Sequence, residues 1–291
     1  MFNWFRKSER KSSEELNFWE HIDVFRKYLI RSVIALAVFS IAAFFLKRFI
    51  FDVLILGPKN PDFITYRVFC YLGDKLNIEG LCIEKLPITL INLEVGGQFK
   101  VHILISFIVG LMVAIPFLLY QLWLFIKPAL YEHELKYSRI TIIYILLLFA
   151  VGVLFGYYVI LPLTINFLLT YELSAEIVNQ ININSYISTV TTLPLATGLV
   201  FEMPVLIFFL SKLGILTPAI LKKYRRHSIV VNFFISAIIT PSVDMFTQTI
   251  VAIPLIMLYE LGIVVSKRVY KRKMEREKKE EQEDSQQAFG G

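Results

Sequence analysis

Apolar segments of roughly 20 residues recur along almost the whole chain, and a helix of that length crosses a hydrocarbon core of about 30 Å. No soluble interior could hide them, because 56% of the 291 residues are hydrophobic and the mean hydropathy is +0.61. The chain therefore reads as an all-α, polytopic membrane protein with no room for a separate soluble domain. Its expected organisation is an amphipathic N-terminal segment over 1–27, a six-span membrane domain over 28–265 with a long loop at 47–100, and a charged tail over 266–291. No short apolar core with a cleavage site precedes the first span, which is expected to stay in the mature protein.

The six spans are expected at Tyr28–Leu46, Val101–Phe125, Ile140–Leu161, Ile187–Leu210, Ser228–Thr240 and Thr249–Val265. The fifth, 228-SIVVNFFISAIIT-240, stops at Pro241 and would reach only about 20 Å as a helix. The sixth is also short. Such a pair must thin the bilayer or be shielded by neighbouring helices, unless flanking groups such as His227 and Ser242 simply snorkel.

Lysine and arginine set the orientation. Segment 1–27 holds six, loop 126–139 three, loop 211–227 five and the tail from Ser266 eight, whereas 162–186 and 241–248 hold none and 51–98 holds four. Cytoplasmic flanks carry the excess, so both termini are expected in the cytoplasm. The net charge of +6 sits beside the spans, which points to anionic lipid head groups and away from nucleic acid. The tail, 267-KRVYKRKMEREKKEEQEDSQQ-287, is expected to anchor the chain and otherwise to be disordered or a frayed helix. Cys70 and Cys82 share the long loop, where a disulfide and two packed thiols are both open.

No enzyme signature is present: there is no glycine-rich phosphate loop, no Walker motif and no nucleophile elbow. Adjacent residues such as 132-EHE-134, or Glu20, His21 and Asp23, splay apart on a helix and cannot converge on one metal ion. Neither a metal nor a cofactor is expected.

Three clusters remain. In 18-FWEHIDVFRKYLIR-31, Phe18, Ile22, Phe25 and Leu29 recur at helical spacing, as in an interfacial helix that leads into the first span. In 120-YQLWLFIKPALYEHE-134, Tyr120 and Trp123 mark a membrane boundary, Pro128 breaks the helix, and Glu132 and Glu134 follow. Carboxylates beside an aromatic floor suit a basic peptide, because each guanidinium pairs bidentately with a carboxylate. The third cluster is 200-VFEMPVLIFF-209, whose Glu202 is the one charge between Ile187 and Ser211. An intramembrane carboxylate faces a bundle interior or a wet cavity. A purely structural role would be a hydrogen bond to a neighbouring helix or to carbonyls freed by Pro204.

Together these residues resemble the TatC family, the polytopic core subunit of the twin-arginine protein translocase. The resemblance runs through 21-HIDVFRKYL-29, 116-PFLLYQLWLFIKPALYEHE-134, 201-FEMP-204, 240-TPSVDMFTQ-248 and 254-PLIMLYELG-262. It implies a non-enzymatic subunit of the cytoplasmic (inner) membrane that binds the twin-arginine signal peptides of folded precursors. It further implies assembly with small single-span TatA/TatB-type subunits, self-association, and transport driven by the proton motive force. By the same resemblance, Arg26, Phe125, Glu132 and Glu134 would bind the signal peptide. Glu202 and Gln248 would meet partner helices on a concave membrane-embedded face, with His21, Asp23, Tyr120, Gln121, Pro128, Asp244 and Glu260 in support. The family motif usually places a glutamate two residues before the arginine; here that position is Val24, and the nearest acids are Asp23 and Glu20.

Two other classes compete with this reading. A small ion-coupled transporter would use Glu202 as a proton site, but no second FExP-like element in the first half signals the inverted repeat common there. An inert scaffold for other membrane subunits is the third.

Overall fold

The computed structural model describes residues 18–60, 62–76, 89–126, 138–171, 174, 180–240 and 245–289. Five of its helical stretches are long and apolar enough to cross a membrane: Ile22–Phe45, Gly97–Phe125, Ile142–Thr170, Ile183–Lys212 and Thr247–Glu275. In chain order the helices are α1 (Phe18–Phe45), α2 (Ile64–Leu76), α3 (Gly97–Ile126), α4 (Ser138–Phe155), α5 (Leu161–Thr170), α6 (Ile183–Phe201), α7 (Met203–Lys212), α8 (Pro218–Lys223), α9 (Arg225–Ile239) and α10 (Met245–Phe289). Spans one, two and four lie close to the expected positions, whereas span three runs beyond the expected Leu161 to Thr170. The expected fifth span is α9, whose 15 residues reach only about 22 Å. The expected short sixth span is the apolar first part of a much longer helix.

That length decides the reading of the tail. Of the two readings, disorder and a frayed helix, the described part of the tail is helical and continues α10 as one helix to Phe289. Its Lys, Arg, Glu and Gln residues are strong helix formers, and pairs such as Lys271–Glu275 at 3.7 Å sit one turn apart.

Two spans are assembled from more than one piece. Span three joins α4 to α5 through a π-helical segment, Gly156–Ile160. Span four breaks at Glu202, which ends α6 and begins α7 with φ −76° and ψ −3°. Pro204 lies in the first turn of α7, where its missing N–H costs no hydrogen bond. Gly214, with φ +79°, then ends α7 in the left-handed conformation that only glycine adopts without strain.

The spans pair as α1 with α3, α4 with α6, and α7 and α9 with α10. Lipid tails are as apolar as leucine, so small residues that allow close approach hold such helices together. A Cβ added at Gly152 of α4 would lie 2.7 Å from the Phe201 Cβ and 2.9 Å from the Gly198 Cα, both on α6. Gly152→Leu is therefore expected to lower stability by about 1–3 kcal/mol through overpacking. Thermal unfolding of the detergent-solubilised protein measures this, and an unchanged midpoint would contradict the tight crossing.

The connections divide between two ends of the bundle. The near end is where α1 begins and α3 finishes. At the far end, α2, a π-helical segment at Phe49–Ile55 and a two-residue parallel strand pair, β1 (Leu90–Ile91) with β2 (Ile181–Asn182), cover the helix termini. Hydroxyls tie this cover down: Tyr157 donates to the Leu54 carbonyl at 2.7 Å, Tyr186 to Ile55 at 2.8 Å and Tyr66 to Pro58 at 2.7 Å. Burial raises the Tyr66 hydroxyl well above its ordinary value, with Tyr157 adding to the effect, so it remains a neutral donor. Cys70 of α2 is disulfide-bonded; the other cysteine, Cys82, lies outside the described residues.

Candidate functional site

At the near end, the first two sequence clusters meet. Phe25 of α1 packs edge-to-face on Phe125 of α3, with ring centroids 5.1 Å apart. Asp23 and Arg26 are exposed on the same helix, and Val24 is half-buried. His21 lies in the first turns of α1. Pro128, Glu132, Glu134 and Asp244 lie outside the described residues.

Further along α3, Tyr120 is half-buried and rests tilted on Phe117. Trp123 is almost fully buried and packs on Phe209 of α7 at 5.0 Å, so the end of span two is locked to the second half of span four. The Lys212 ammonium sits 5.9 Å from the Trp123 ring and 5.3 Å from Phe208, as a cation held over aromatic faces at a membrane boundary.

Lys212 fixes the depth of Glu202. The rise of α7 between them is about 15 Å, half the thickness of the hydrocarbon core. Glu202 is 4% exposed, and neither carboxyl oxygen has a hydrogen-bond partner among the described residues. The carbonyls freed by Pro204 do not satisfy it. The main chain at Phe149 on α4 bears on it electrostatically without closing a hydrogen bond. Four other buried side-chain atoms share this state among the described residues: Oγ of Ser40 on α1, Oε1 of Gln121 on α3, Oγ1 of Thr164 on α5 and Nδ2 of Asn232 on α9.

The remaining polar positions are internally engaged. Gln248 donates from Nε2 to the Phe233 carbonyl at 3.1 Å and so ties α10 to α9. Glu260 forms an ion pair with Arg225 at the start of α9, and the neighbouring Tyr259 hydroxyl donates to the Leu221 carbonyl at 2.9 Å. Two of these residues were not singled out in the sequence. Asn232 is a lone amide in the apolar run expected as the fifth span and was visible there, whereas the pairing of Arg225 with Glu260 crosses 35 positions and leaves no local pattern.

A bundle of this kind, with apolar helices long enough to span a bilayer and unsatisfied polar atoms at membrane depth, defines a polytopic membrane protein. The family model described as Sec-independent protein translocase protein (TatC) matches residues 20–254. The TatC of Blattabacterium sp. subsp. Periplaneta americana is 37% identical over 91% of this chain and 100% of its own, and that of Aquifex aeolicus is 35% identical over 89% and 98%. Among solved structures, the Twin Arginine Translocase Receptor TatC in DDM aligns with a TM-score of 0.67 at 35% identity, covering 85% of this chain and 99% of that one. The chain belongs to the TatC family of Sec-independent protein translocase subunits, which are transport components and not enzymes.

Proposed function

We propose that this chain binds the twin-arginine signal peptide of folded precursors at its near end and nucleates a translocation site with small single-span TatA/TatB-type subunits. The observation that carries this reading is the Phe25–Phe125 contact, which joins the N-terminal segment to the end of span two. Arg26 is exposed beside that contact, and Glu132 and Glu134 follow it in sequence. The name receptor, borne by the solved relative, supports the assignment.

Within the membrane, Glu202 offers its unsatisfied carboxyl to a signal peptide or partner helix on a concave face, and Gln248 contributes a second polar contact there. The proton motive force drives transport. The chain resides in the cytoplasmic (inner) membrane with both termini in the cytoplasm, as its lysine and arginine distribution favours. Copies self-associate, and the basic flanks bind anionic lipid.

Photo-cross-linking from positions 125, 134 and 202 to a twin-arginine precursor tests this function. Adducts are expected from 125 and 134 with the twin-arginine precursor and much weaker ones with a twin-lysine precursor. Equal yields with both would overturn the reading.

A further inference from the structure

At the far end, α2 carries an apolar stripe on the side turned away from the protein. Ile64, Val68 and Tyr71, spaced i, i+4, i+7, are 56%, 48% and 66% exposed. A helix in a loop that faced only water would carry polar residues there. Arg67 flanks the stripe and Lys75 closes its C-terminal end, both exposed. The opposite side is anchored: Thr65 and Tyr66 are buried, and the Thr65 hydroxyl donates to the Tyr158 carbonyl at 2.6 Å.

That anchor sets the depth of α2. With the near edge of the core at Ile142, Tyr158 lies about 24 Å along span three, in the outer part of a hydrocarbon core of about 30 Å, and the span runs on past the core to Thr170. Tyr158 also ends an outward stripe of exposed residues, Val151, Leu154 and Tyr158, which faces lipid. Phe63, immediately before α2, stacks on the Tyr158 ring at 5.5 Å with the planes 15° apart. The exposed face of α2 thus continues the lipid-facing surface of span three at the level where acyl chains give way to head groups.

We propose that α2 is an interfacial helix that seats Ile64, Val68 and Tyr71 in the far-side phospholipid leaflet, with Arg67 and Lys75 on lipid phosphates. Helices with an apolar stripe beside cations lie in this plane, and tyrosine favours the head-group level. The tyrosine bonds to Leu54, Ile55 and Pro58 then hold the far-end cover at the membrane surface. The cover cannot swing away from the bilayer as a free loop would.

The full chain carrying p-benzoylphenylalanine at Val68, in vesicles of phosphatidylethanolamine and phosphatidylglycerol, tests this. Irradiation is expected to give adducts of phospholipid mass, with a yield within about threefold of that from the same probe at lipid-exposed Ile41 of α1. An adduct of protein mass would assign the stripe to a second copy, and no adduct at Val68 with a lipid adduct at Ile41 would place it in water; either result overturns the proposal. If the Val68 variant does not accumulate, the same readout is taken from Tyr71.

Discussion

Exchange of Glu134 for lysine is expected to weaken binding of a peptide with two consecutive arginines by about a hundredfold. Removing one partner of a hydrogen-bonded ion pair costs about 2–5 kcal/mol, and reversing the charge adds repulsion. A guanidinium pairs with a carboxylate through two parallel hydrogen bonds, a geometry that an ammonium cannot copy. The loss should therefore be smaller for a twin-lysine peptide, which lacks those bonds from the outset, and the preference for arginine should shrink with the affinity. Titration of a fluorescent signal peptide onto the detergent-solubilised protein measures both quantities. Equal affinity for wild type and Glu134→Lys would remove Glu134 from the site and leave recognition to Asp23 and the exposed face of α1.

The membrane spans were legible because a bilayer leaves so few choices. Every backbone group in the hydrocarbon must be satisfied within its own segment, so an apolar run of sufficient length becomes a helix. Spans one to four fell where their apolar runs lie, and the brevity of α9 followed from Pro241. The far-end cover was not legible. Its bonds from Tyr157 to Leu54 and from Tyr186 to Ile55 join residues 103 and 131 positions apart, and no local spacing encodes them. The tail was left between disorder and a frayed helix because a charged composition argues against a packed core but not against a helix that extends an existing one.

Polar residues of the candidate site were visible as types in an apolar setting, but their partners were not. Gln248, Glu260 and Glu202 looked alike as polar groups in the second half of the chain. The fold separates them. Gln248 and Glu260 connect α10 to α9, whereas Glu202 is buried without a hydrogen bond among the described residues. A partner for Gln248 or Glu260 must compete with an existing contact, and a partner for Glu202 need not.

That difference gives the second large expectation. A buried polar group left without a hydrogen bond costs about 1–3 kcal/mol, and an apolar side chain of similar size removes that cost. Glu202→Leu is therefore expected to raise the stability of the isolated protein by about that amount, with Glu202→Gln nearly neutral. Export of a folded twin-arginine precursor should fall at least tenfold in Glu202→Leu, because leucine offers nothing to an arriving helix, and should largely survive in Glu202→Gln if a hydrogen bond is what the partner needs. Thermal unfolding and export assayed on the same three proteins separate the two roles of the residue. A group that braces its own bundle would lose stability and export together in Glu202→Leu. A group reserved for a transient partner gains stability as it loses export, and only this opposition of sign identifies Glu202 as a contact held open at the break between α6 and α7.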